Sequence, residues 1–101
     1  MLMQVRLSSG NTDMISKIAI CAGSGASVLG GVDADVYLTG EMSHHEVLEA
    51  KAAGKHTILC EHTNTERGFL GEILLHKLST LIGSDITIEC STFDADPLNI
   101  V

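Results

Sequence analysis

Lys17-Ile18-Ala19-Ile20-Cys21-Ala22 is a largely apolar run that stops at Gly23-Ser24-Gly25. With almost no polar alternation, it predicts a strand buried on both faces, the kind that occupies parallel sheets. Downstream, Asp35 to Thr39 closes at Gly40, and His56 to Cys60 gives another strand. Between them, Ser43 to Ala53 predicts a helix. Ser43 and Glu46 fit a capping box, Val47, Leu48 and Ala52 form an apolar stripe, and Lys51 with Gly54 marks the end. Thr63 and Glu66 suggest a second box, opening a helix along which Phe69, Leu70, Ile73, Leu74, Leu78 and Leu81 recur until Gly83. Asp85 to Ser91 alternates cleanly and predicts a last strand with one wet face. Upstream of the opening run, Gln4 to Leu7 reads as a short strand and Ser8 to Asp13 as a loop, while Ala26 to Gly30 can form a short helix. Strands alternating with helices predict an α/β layered fold. Its sheet would be largely parallel, of about four to five strands flanked by helices, in one domain over residues 1–101.

Composition narrows the function classes. Apolar residues make up 45% and charged residues 19%, which is globular. Thirteen acids against six Lys and Arg give a net charge of −7, which argues against nucleic acid and against an anionic membrane surface as partners. No apolar run approaches the roughly 20 residues that span a bilayer. Met1 to Leu7 has neither the apolar core nor the cleavage site of a signal peptide. Cys21, Cys60 and Cys90 are widely spaced with no CxxC, so a disulfide framework or zinc finger is disfavoured. They read as small core residues in a reducing, cytoplasmic protein.

In parallel sheets, loops leaving the carboxyl ends of strands gather at one edge, where ligands bind. Three such loops carry the candidate chemistry: Gly23-Ser24-Gly25, the segment from Thr39 to His45, and that from Cys60 to Glu66. His62 and Glu66 are four residues apart, a spacing that lets an imidazole and a carboxylate share one metal ion. From spacing alone the plainer account is that Glu66 caps the helix and His62 is solvated before it. Glu41 follows a strand-ending glycine, from which a carboxylate reaches into a cleft. Adjacent His44 and His45 point about 100° apart on a helix, so they rarely chelate one ion together. Gly23 and Gly25 form no complete dinucleotide or phosphate-loop fingerprint, and a tight turn explains them as well as an anion site does. Asp94 and Asp96 suit a turn before Pro97.

Three segments in order, Ala19 to Gly25, Ala34 to His45 and Glu61 to Gly68, resemble the C-terminal portion of the NIF-three-like family (NGG-interacting factor three-like proteins). Some of its members are called GTP cyclohydrolase 1 type 2 homologues, and the Asp94-x-Asp96-Pro97 ending is similar too. The resemblance runs from about Val5 to Val101. It implies ring-shaped hexamers with a two-metal centre of divalent transition ions between two α/β halves, and it makes His62 and Glu66 metal ligands. Glu41, His44, His45, Gly23 and Gly25 then become residues that support those ligands or touch substrate. The family's other ligands, a His-His pair and an Asp, come from an N-terminal half with no counterpart here, and His44-His45 is not that pair. The resemblance thus implies the C-terminal half of a metal-dependent, hydrolase-like protein that self-associates and is active only with its N-terminal half. The alternative it implies is a non-catalytic assembly module for transcription-related protein partners, in the cytoplasm and also the nucleus.

Overall fold

A computed structural model describes residues 4–101. The first three residues of the segment read as unlike a signal peptide, Met1-Leu2-Met3, lie outside the described residues. The chain divides into two compact units, one ending at Glu66 and the other Arg67–Val101. The first contains β1 (Arg6–Ser8), β2 (Ile18–Ser24), α1 (Ala26–Leu29), β3 (Val36–Glu41), α2 (His44–Ala52) and β4 (His56–Leu59). Helix α3 (His62–Phe69) begins there and runs into the second unit.

The sheet has the order β1-β4-β3-β2. Strands β2, β3 and β4 run parallel, but β1 pairs antiparallel with β4, Arg6 opposite Leu59 and Ser8 opposite Thr57. The sheet is therefore mixed, not largely parallel as the strand–helix alternation predicts. A short alternating segment suits an antiparallel edge, which tolerates one wet face. The loop after β1 is fastened alongside β4 by His56. Its Nδ1 accepts the Gly10 N–H at 3.0 Å, which leaves the ring proton on Nε2 to reach the Thr12 carbonyl at 2.6 Å. Gly10 has to be glycine here, since a Cβ would lie 2.7 Å from the backbone nitrogen of His56.

The core lies on one face of the sheet, where Leu29 of α1, Ala34, Tyr37 of β3 and Ala50 of α2 pack with Ala19, Cys21 and Met42. Helix α2 has the expected capping box: the Glu46 carboxylate accepts the Ser43 N–H at 2.7 Å and the Ser43 hydroxyl accepts the Glu46 N–H at 3.3 Å. Its buried residue is Ala50, whereas Leu48 and Ala52 of the expected stripe are exposed. Strand β2 is likewise not buried on both faces, because Ile18 and Ile20 are 59% and 70% exposed at the sheet's edge. Just before it, Asp35 accepts the N–H groups of Ser16 (2.8 Å) and Lys17 (3.0 Å), which hold its carboxyl below the usual range.

In the second unit the helix continues through a π-helical segment, Leu70–Leu74, into α4 (Leu75–Ile82) and ends at Gly83 with φ 87°. The left-handed conformation at the end is the one glycine adopts without penalty. Residues 85–91 form no strand, although their alternation predicts one. Ile86 is exposed, as is Cys90, so Cys90 is not the core residue expected; Cys21 and Cys60 are half-buried. Alternation makes a strand only where a neighbouring ladder receives its N–H and C=O groups. The tail is held instead by Arg67 Nε on Asp94 at 3.1 Å, and Asp96 accepts the Leu98 N–H at 2.9 Å in a turn around Pro97.

Candidate metal half-site

The carboxyl ends of β2, β3 and β4 open on one edge, and the residues that follow them meet there. Helix α3 begins at His62, two residues earlier than a box opened by Thr63 requires, so Thr63 lies inside the helix. The His62 ring sits between two carboxylates. Glu41, the last residue of β3, brings Oε1 to 2.8 Å from Nδ1, and Glu66, one turn along α3, brings Oε2 to 2.9 Å from Nε2. The Glu41 hydrogen bond first, and then the charge of Glu66, hold the imidazole pKa above its ordinary value against partial desolvation.

The backbone around the pair is tightly arranged. Gly23, at φ 68°, comes so close that a Cβ would strike the Glu66 carboxylate and lie 3.1 Å from His62 Nε2. The Thr65 hydroxyl accepts the Gly23 N–H at 2.8 Å and lies within donating distance of the His62 and Glu61 carbonyls, at 2.9 and 3.1 Å. Thr39 donates to the Gly23 carbonyl at 3.1 Å. Glu61 takes φ 73°, which is uncommon for a residue with a side chain, at the turn from β4 into α3, and its carboxylate pairs with Arg6 at 3.3 Å.

Of the residues read from the sequence, Glu41, His62, Glu66 and Gly23 come together. Gly25 stands behind them, packed on the Thr39 side chain with its N–H on the Glu41 carbonyl at 3.4 Å. His44 and His45 are exposed in the first turn of α2, edge-to-face with each other at 6.0 Å, and do not join the His62 cluster. Thr39, Thr65, Glu61 and Arg6 were not singled out by sequence. The hydroxyls make hydrogen bonds across 16 and 42 positions in the chain, which no local pattern encodes. The donor types of the set are ones that a cation site draws on. An imidazole and a carboxylate face each other, and the second ring nitrogen is held by another carboxylate, the usual support of a metal-binding histidine. Among the described residues, no group of three or more His, Cys, Asp or Glu is arranged to hold a metal ion. No helix among them is long and apolar enough to cross a membrane.

A family model described as Duf34/NIF3 (NGG1p interacting factor 3) matches residues 1–97. The chain is 52% identical over 101 residues to mouse NIF3-like protein 1, covering 98% of this chain and 27% of that protein. It is 49% identical over 98 residues to the NIF3 homolog of Schizosaccharomyces pombe (94% of this chain, 35% of that one). With NGG1-interacting factor 3 of Saccharomyces cerevisiae it shares 46% over 95 residues (92% and 32%). A crystal structure of a Staphylococcus aureus hypothetical protein superposes with TM-score 0.66 at 32% identity, over 97% of this chain and 34% of that one. The chain spans about a quarter to a third of the length of these relatives. With the family model matched over nearly its whole length, the chain belongs to the Duf34/NIF3 family.

Proposed function

We propose that the chain is the C-terminal part of a NIF3-type protein and contributes His62 and Glu66 to a divalent-metal centre of a hydrolase-like site. The observation that carries this reading is the His62 ring fixed on Nδ1 by Glu41 at 2.8 Å, with Glu66 across Nε2 at 2.9 Å. The residues fit a transition-metal ion by donor type and by the glycine that makes room beside them, and they supply two ligands of the three or four such an ion takes. The remaining ligands come from the rest of the architecture or from another copy of the chain. Divalent ions held there would supply Lewis acidity and an activated water for hydrolysis of a polarised substrate bond. This chain's own part is to present Nε2 and the Glu66 carboxylate, to keep the ring oriented through Glu41, and to hold both against the Gly23 backbone.

Metal content per chain, measured with oligomeric mass on protein prepared without chelator, tests the reading. We expect bound transition metal that is lost in His62→Ala. Stoichiometry unchanged by that substitution would sink the proposal.

A second reading, a protein-binding module in cytoplasm or nucleus, draws on the name of the yeast relative and on exposed apolar residues of the second unit, Phe69, Leu70, Ile73 and Leu81 among them. A metal-free chain that self-associates or binds a protein partner through these residues, and loses that association in Phe69→Ser, favours it.

A further inference from the structure

A cavity of about 230 Å3 lies under the first turn of α2 against β1 and β4, and neither His62 nor Glu66 nor Glu41 lines it. Its polar lining is Arg6, Ser8, His44 and Thr57; Met42, Val47 and Leu59 give it apolar walls. Thr57 pairs in register with Tyr37 of β3, a core residue packed with Ala50 of α2, so its side chain faces the α2 side of the sheet. Ser8 lies opposite Thr57 on β1. Thr57 is 1% exposed, and its hydroxyl is the one buried side-chain oxygen or nitrogen among the described residues without a hydrogen-bond partner. A buried hydroxyl left unpaired is costly, and native proteins rarely carry one without a use.

The charge of the lining is unlike that of the chain. The protein has thirteen acids and six Lys and Arg, yet no Asp or Glu lines this cavity, while a guanidinium and an imidazole do. The nine-residue helix α2 adds the positive end of its dipole. Arg6 already carries one carboxylate, Glu61 at 3.3 Å, and its five-donor fork leaves further N–H groups for another. The volume is below the roughly 300–1,000 Å3 of pockets for drug-sized ligands.

We propose that this cavity binds a small monocarboxylate with a short aliphatic group, its carboxylate on Arg6, His44 and the Thr57 hydroxyl and its chain against Met42, Val47 and Leu59. The site takes none of its donors from His62, Glu66 or Glu41, and its test needs no metal. Titration of the isotope-labelled chain with butyrate, followed by NMR, should give saturable shifts at Ser8, His44 and Thr57 at about millimolar concentration. Arg6→Gln should weaken binding by about tenfold or more, and Thr57→Val by about fivefold while leaving the chain as stable as before, since it removes an unpaired hydroxyl. Uncharged butyramide should not bind, and inorganic phosphate, which has no aliphatic part, should bind at least about tenfold more weakly. Shifts that do not saturate, equal binding of butyramide or phosphate, or affinity untouched in both variants would each overturn the proposal. So would crystals soaked in butyrate that show only a water on Thr57 Oγ1.

Discussion

The unit ending at Glu66 and the unit Arg67–Val101 contrast in what holds them. The first has a hydrogen-bonded sheet, a set of buried side chains and hydrogen bonds spanning tens of residues. The second has the stronger helical periodicity, yet no buried residue in the π segment or α4. Periodicity aligns apolar side chains on one face; only an opposing layer of structure turns that alignment into a core.

The contrast is sharpest in matched leucines. Leu59 of β4 is 5% exposed and Leu81 of α4 is 82% exposed. Leu59→Ala should cost about 2–5 kcal/mol, while Leu81→Ala stays within about 0.5 kcal/mol. Chemical denaturation of the two variants checks this, and equal losses would break the comparison. Ser43→Ala, which removes the cap of α2, should cost about 1 kcal/mol, read as a lower denaturation midpoint at unchanged slope.

Smaller effects come from titration, and they carry opposite signs. Asp35 has a carboxyl pKa held below the unfolded value of about 3.9, so its contribution is present above that pH and is lost as the pH falls through the folded pKa. His62 has a pKa raised above about 6.5. Its contribution is complete below that value and disappears as the pH rises through the folded pKa. NMR titration should therefore place His62 above an ordinary histidine, and Glu41→Gln should bring it down. A titration midpoint indifferent to Glu41 would remove the support assigned to that carboxylate.

Much of the first unit was legible in sequence because its signals are local. The Ser43–Glu46 box, the strand ahead of Gly23 and the His62–Glu66 spacing each need only a few neighbouring residues, and each is present. The direction of β1 was not legible, since its pairing with β4 and the His56 hydrogen bonds that fasten the following loop, 44 and 46 positions apart in the chain, are long-range. The missing strand at 85–91 failed for a related reason: its alternation is local, but a ladder is not. At the half-site, sequence supplied the ligand candidates and missed the Thr39 and Thr65 hydroxyls that fix Gly23 beside them.

The reversed direction of β1 also decides what the amino terminus can reach. Arg6 lies opposite Leu59, at the end of β4 from which the chain turns toward His62, and it touches Glu61 directly. Anything joined ahead of β1 is thereby tethered beside the half-site, at effective concentrations on the order of millimolar for a short flexible linker. A polyhistidine tag placed there would offer its own imidazoles to any cation that, as proposed, His62 and Glu66 would hold by two ligands. Metal counted on such a fusion would report the tag as much as the protein, whereas a tag-free chain reports the protein.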